Sequence, residues 1–158
     1  MIQLHGLRKD YRVGDHDLPV LKGITLNIEA GEYVALMGSS GSGKTTLMNL
    51  LGSLDHPTDG DYHLAGIDVS SLTPLELAAF RSQHIGFVFQ NFNLLPRATA
   101  LDNVMLPTIY ASDGRSRREC IEDATKLLES VGLGGRLDHM PNQLSGGERQ
   151  RIAIARAL

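Results

Sequence analysis

The segment Gly38-Ser-Ser-Gly-Ser-Gly-Lys44-Thr45 constrains this chain more than any other. It fits the pattern G-x-x-x-x-G-K-[ST], in which glycines let backbone N–H groups turn toward a polyphosphate. The lysine and the hydroxyl then serve the outer phosphates and the magnesium they carry. Such a loop needs a strand before it and a helix after it. Residues 33–37, Tyr-Val-Ala-Leu-Met, form a continuous apolar run that predicts a strand buried on both faces of a parallel sheet. Beyond the loop Leu47, Leu50 and Leu51 recur at helical spacing, and Gly52 stands where a left-handed C′ residue is expected. A Gly/Ser-rich linker, the plain alternative, would have neither flank.

The rest of the chain alternates short strand and helix signals. Ile24, Leu26 and Ile28 alternate with polar residues as one face of a strand, and residues 2–5 are expected to pair nearby. Residues 61–64 and 67–69 flank Ala65-Gly66 as a small antiparallel hairpin. Thr73-Pro-Leu-Glu76 joins an N-cap, a first-turn proline and a capping-box glutamate, predicting a helix over about 75–82. Residues 85–89, Ile-Gly-Phe-Val-Phe, read as a further strand. Thr99 and Ser116 each open a helix, the second bearing Ile121, Ala124, Leu127, Leu128 and Val131 on one face and ending at Gly132.

Close to the last residue, Leu144-Ser-Gly-Gly-Glu148 begins another helix, with Ser145 and Glu148 at capping-box spacing and Ile152, Ala155 and Leu158 apolar. A capped amphipathic helix accounts for Ser145 and Glu148. It does not account for Gly146 and Gly147 in the first turn, where glycine is unfavourable unless something must approach closely.

Gly-Ser-Ser-Gly-Ser-Gly-Lys-Thr together with Leu-Ser-Gly-Gly-Glu resembles the nucleotide-binding domain of ATP-binding-cassette transporters, over nearly the whole chain. The resemblance implies an α/β fold: a P-loop NTPase (RecA-like) core with an antiparallel β subdomain and an inserted α-helical subdomain. The expected division is 1–90 for the core through the Q-loop strand, 91–142 for the helical subdomain and 143–158 for the signature motif and its helix. It implies that Gly38, Ser39, Ser40, Gly41, Ser42, Gly43, Lys44, Thr45 and Thr46 hold ATP, with Thr45 on Mg2+. Ser145, Gly146, Gly147 and Glu148 would cap the γ-phosphate held by a second copy, making a head-to-tail homodimer.

The same resemblance assigns Gln90 to the Q-loop, as a catalytic and magnesium-reaching residue; the other reading is an ordinary loop glutamine. Tyr11 matches the aromatic residue that stacks on adenine, and a packed surface tyrosine is its alternative. Residues 87–96 with 99–107 resemble the macrolide-exporter and lipoprotein-releasing branch, which implies a membrane permease partner. Phe92, Leu94 and Leu95 would form an apolar docking surface for that partner or pack the helical insertion.

A complete cassette of this family continues to a buried strand ending in Asp-Glu, and no segment before Leu158 matches it. The expectation is therefore a sheet lacking its C-terminal core strands, weak nucleotide binding and negligible hydrolysis by these residues alone. With a net charge of −3 the chain lacks the basic footprint of a nucleic-acid binder. This weighs against a soluble cassette acting on DNA or ribosomes. A binding-only fragment is the remaining alternative. Cys120 is the single cysteine and the first residues are no leader peptide, so a reducing cytoplasmic location is expected; the resemblance implies attachment to the inner face of the membrane through the permease partner. The six histidines show no metal-ligand spacing and predict no zinc site.

Overall fold

The computed structural model describes residues 1–110 and 114–158, in two compact units that divide between Ala78 and Ala79. The first unit is built on a four-stranded antiparallel sheet. Strand β1 (Ile2–Val13) and strand β2 (His16–Ile28) form a long hairpin, with Ile2 opposite Ile28 and Val13 opposite His16. Strand β3 (Asp59–Leu64) adds to the free edge of β1, and the two-residue β4 (Ile67–Asp68) closes the order β2-β1-β3-β4. The alternation at 24–28 and the hairpin at 61–68 are thus as the sequence predicts. Leu4, Leu7, Leu21, Leu47, Leu50 and Tyr62 are the buried side chains that hold this unit.

Helix α1 (Lys44–Leu51) follows the glycine-rich loop and packs against β2. Its end differs from expectation. Gly52 has φ −77° and continues the helix, and the left-handed residue is Ser53 at φ 52°. The Ser53 amide donates to the Leu50 carbonyl at 2.9 Å and the Leu54 amide to the Asn49 carbonyl at 2.8 Å, the double bond of a Schellman end. A non-glycine residue is held there by the bond of its own amide and that of the Leu54 amide.

The strand expected at 33–37, buried on both faces, is not formed: the run makes no ladder with any described residue, and Tyr33 is 96% and Met37 87% exposed. The strand expected at 85–89 likewise makes no ladder with any described residue, and Phe87 and Phe89 stack at 5.6 Å. Hydrophobic pattern sets the tendency to extend, whereas strand status needs neighbours whose N–H and C=O groups are free to pair. Helix α2 (Pro74–His84) runs two residues past its predicted end and contains the division between the units.

The second unit is helical. Helices α3 (Ala100–Met105), α4 (Arg117–Ser130) and α5 (Gly146–Ala157) surround one apolar cluster of Ala100, Val104, Ala124, Leu128, Leu133, Leu144, Ile152 and Ala155. Each of the three begins in a capping box, on Thr99–Asp102, Ser116–Glu119 and Ser145–Glu148. Helix α4 ends in the same Schellman geometry as α1, here with the predicted Gly132 at φ 74°. Asn103 is fully buried in α3 and spends its side chain on loop backbone: it accepts from the Leu95 amide and donates to the carbonyls of Leu95, Ala98 and Thr99. Those bonds pin residues 95 to 99 against the start of α3.

Candidate functional site

The glycine-rich loop is shaped by its glycines. Gly41 (φ 77°) and Gly43 (φ 88°) adopt left-handed conformations that cost an L-residue about 1–2 kcal/mol. Gly43 is the N-cap of α1, and no side chain caps that end. The first-turn N–H groups of Lys44, Thr45 and Thr46 therefore have no intrahelical acceptor and point out of the helix with its positive dipole end. A Cβ on Gly43 would also lie 2.9 Å from the tip of the Leu21 side chain and 3.3 Å from the Val20 carbonyl oxygen, which adds crowding to the positive φ.

Lys44 reaches back over the loop. Its ammonium donates to the carbonyls of Gly38 at 2.8 Å and Ser39 at 2.5 Å. A hollow of about 570 Å3 opens beside it, lined by Val20, Ser40, Gly41, Gly43, Lys44, Thr45 and Thr46. Six of these seven are residues the sequence singled out, and Val20 adds an apolar wall. One ammonium and a row of unshared amides around an open hollow can bind a multiply charged oxyanion.

Tyr11 lies in the same unit, on β1. Its hydroxyl donates to Asp55 Oδ2 at 2.9 Å. Burial, together with the bond to Asp55 and its charge, pushes the phenol above its usual range. The Lys9 ammonium stands 4.9 Å from the ring centroid and donates to Asp55 Oδ1 at 2.7 Å and to the His56 carbonyl at 2.6 Å. Lys9 and Asp55 carried no signal in sequence. Strand spacing puts Lys9 beside Tyr11 on one face of β1, but their shared partner stands 44 residues further on.

Gln90 and the 145–148 segment belong to the second unit. Gln90 is exposed, at the turn that follows residues 85–89. Two residues on, Phe92 (φ 59°) and Asn93 (φ 48°) form a left-handed pair whose carbonyls both accept from the Arg156 guanidinium, at 2.7 Å each. Arg149 lies 5.6 Å from the Phe92 ring. Of the three apolar residues named as a docking surface, Leu94 packs on the helical cluster, Leu95 is exposed and Phe92 lies half-buried near Arg149.

At the start of α5 the Ser145 hydroxyl donates to Glu148 Oε2 at 2.7 Å and accepts from the Glu148 amide at 3.3 Å. The Ser145 hydroxyl and amide, helped by Arg136 at 3.4 Å, hold the Glu148 carboxyl down to about 2. Ser145, Gly146 and Gly147 are all exposed. Because the cap satisfies only the third helical amide, those of Gly146 and Gly147 are left for an outside acceptor. Among the described residues no group of three or more His, Cys, Asp or Glu side chains is gathered as a metal site, and no helix is long and apolar enough to cross a membrane.

Residues 21–158 match the family described as ABC transporter. The whole chain is 99% identical to part of the macrolide export ATP-binding/permease protein MacB of Rhodopirellula baltica, and spans 23% of that protein's length. It is 55% identical to the uncharacterized ABC transporter ATP-binding protein YknY of Bacillus subtilis, covering 68% of it. Among solved structures, the dimeric bacterial ABC transporter cassette MJ0796 superposes with a TM-score of 0.86 at 45% identity, over all of this chain and 69% of that one. The same cassette in a post-hydrolysis state bound to ADP and Pi gives a TM-score of 0.86.

Proposed function

We propose, since this chain belongs to the ABC transporter family, that it is the ATP-binding part of an exporter of the macrolide-export type. Its task is to hold magnesium-ATP between the glycine-rich loop of one copy and the 145–148 segment of another. The observation that carries this reading is the uncapped start of α1, with Lys44 folded over a loop of left-handed glycines. Triphosphate would take the acceptors' place: the ammonium leaves the Gly38 and Ser39 carbonyls for the β- and γ-phosphates, and the first-turn amides donate to the phosphate oxygens.

The donor set fits a magnesium ion borne by the phosphates rather than one held by the protein, since among the described residues carboxylates and imidazoles are not clustered. Thr45 would contribute its hydroxyl and Gln90 its amide oxygen. Tyr11 would stack on the base, an interaction that suits any flat ring. Gly146 and Gly147 would donate their amides to the γ-phosphate held by the second copy, while Ser145 turns its hydroxyl from Glu148 to the phosphate. Nucleotide thus becomes part of the interface, and its hydrolysis would release the two copies and drive a permease partner at the cytoplasmic face of the membrane. The name of the 99%-identical relative, an ATP-binding/permease protein, supports that partner.

The test is ATP-dependent association of the full chain followed by sedimentation velocity. Magnesium-ATP is expected to shift the wild type toward dimer. Lys44→Ala should lose both ATP binding and dimer, and Ser145→Arg should lose the dimer while still binding ATP. ATP binding undiminished in Lys44→Ala, or dimerisation undiminished in Ser145→Arg, would refute the proposal.

A further inference from the structure

Asp55 stands outside the phosphate loop, yet it gathers the groups that surround Tyr11. One carboxylate oxygen takes the Lys9 ammonium at 2.7 Å and the other the Tyr11 hydroxyl at 2.9 Å, and the first also accepts the His56 amide at 2.8 Å. Only 11% of the Lys9 side chain and 31% of that of Asp55 is exposed, so water competes poorly for these bonds. Burial opposes the charge on Asp55, but bonds from Lys9, Tyr11 and the His56 amide outweigh it and hold the carboxyl below its usual range.

The backbone around Asp55 is equally fixed. Helix α1 begins at the phosphate loop and ends in the Schellman geometry at Ser53, which leaves Asp55 two residues beyond a rigid terminus. On the other side, the Asp10 amide donates to Thr58 Oγ1 at 2.9 Å and the Thr58 amide to the Arg8 carbonyl at 2.9 Å, so β1 and the segment after Asp55 are bonded to each other. The phenol hydroxyl ties the ring to this fixed point by donating to Asp55. Strand β1, the carboxylate and the aromatic ring are thus joined by bonds of 2.7 to 2.9 Å just beyond the end of the helix that the phosphate loop begins.

We propose that Asp55, acting with Lys9, is the positioning residue for base recognition: it sets the Tyr11 ring at a fixed distance from the phosphate loop as a one-faced platform for a purine. The proposal rests on the nucleotide reading of the loop. Base and triphosphate in one ligand are joined by a sugar of limited reach, so both halves bind at full strength only if the ring is placed in advance. Lys9 covers one face of the ring and makes it a better partner for a base on the other. Asp55 itself touches neither base nor phosphate.

The experiment compares ATP with inorganic tripolyphosphate, which carries the charges and no base, in titrations of the full chain. Tyr11→Phe keeps the ring and removes the tether, and Asp55→Asn keeps the size and removes the charge. Each is expected to weaken ATP about tenfold, as loss of a charge-assisted bond would, and to leave tripolyphosphate within about twofold. In a Tyr11→Ala background Asp55→Asn should weaken ATP no further. ATP affinity unchanged in Tyr11→Phe overturns the proposal, as does an equal fall for tripolyphosphate or a full additional loss in Tyr11→Ala. Wild type that binds tripolyphosphate as tightly as ATP overturns this proposal while the phosphate loop stands; wild type that binds neither overturns both.

Discussion

Arg156→Lys should loosen the loop next to Gln90 without unfolding the helices around it. In the wild type the guanidinium fork donates to the Phe92 and Asn93 carbonyls at 2.7 Å each. Two bonds from a charged donor, partly exposed to water, are worth about 3 kcal/mol at the lower end of the range. They hold two consecutive left-handed residues, Phe92 at φ 59° and Asn93 at φ 48°. These cost about 1–2 kcal/mol for phenylalanine and less for asparagine, whose side chain tolerates the region. Strain and restraint therefore nearly balance, with about 1 kcal/mol in favour of the observed loop. A lysine ammonium can keep one of the two bonds but lacks the planar fork that spans both. The loss of about 1.5 kcal/mol tips the balance, and amide exchange at 90–93 should rise about tenfold. Asn93→Gly in the same background should recover part of the protection by removing strain. Hydrogen exchange followed by mass spectrometry reads this directly. Unchanged exchange at 90–93, or an equal rise across α3, α4 and α5, would refute the account of Arg156 as a local restraint.

Gly60→Ala should cost far more than Gly66→Ala although both glycines have positive φ, at 86° and 83°. A Cβ at 60 would lie 2.5 Å from the Gly6 carbonyl oxygen, whereas nothing stands within 4 Å at 66. Urea midpoints should fall by the equivalent of about 1 kcal/mol at 66 and several at 60, and equal losses would count against the β1–β3 contact. Glu148, held at about 2 against an ordinary 4.5, contributes to the start of α5 fully above pH 4.5. That contribution fades as pH falls toward 2, so exchange at 146–149 should rise over this window in wild type and stay flat in Glu148→Gln. Tyr62, whose burial raises it to about 12, donates to the Leu51 carbonyl at 2.7 Å. A raised phenol favours the fold below pH 10 and ceases to do so as pH climbs through 12, so absorbance should show its ionisation only near 12. Tyr62→Phe should cost about 1 kcal/mol in thermal unfolding, and no loss would mean the bond is immaterial.

What could be read from sequence was local. The capping boxes at 73–76, 99–102, 116–119 and 145–148 all form, because a hydroxyl and a carboxylate three residues apart meet whenever the first turn is helical. The phosphate loop was legible for the same reason, since its glycines and Lys44 act within one short segment. The strands expected at 33–37 and 85–89 are not formed among the described residues, because a ladder depends on neighbours that an apolar run does not specify. Gly52 drew the helix end that Ser53 provides, because residues on both sides select the left-handed position. Asp55, Asn103 and Arg156 gave no signal. Asp55 and Arg156 act over 44 to 64 residues of sequence, and Asn103 acts by burying an amide that looks like any surface asparagine.

The central claim is that the amides of 41–46 and the Lys44 ammonium receive a triphosphate. Hydrogen exchange of the full chain with and without magnesium-ATP tests it most directly. Protection is expected at 41–46 on adding ATP in the wild type and should vanish in Lys44→Ala, while exchange in β1 and β2 stays the same in both. ATP that binds yet leaves those amides exchanging at the free rate, or that protects them equally in Lys44→Ala, would contradict it.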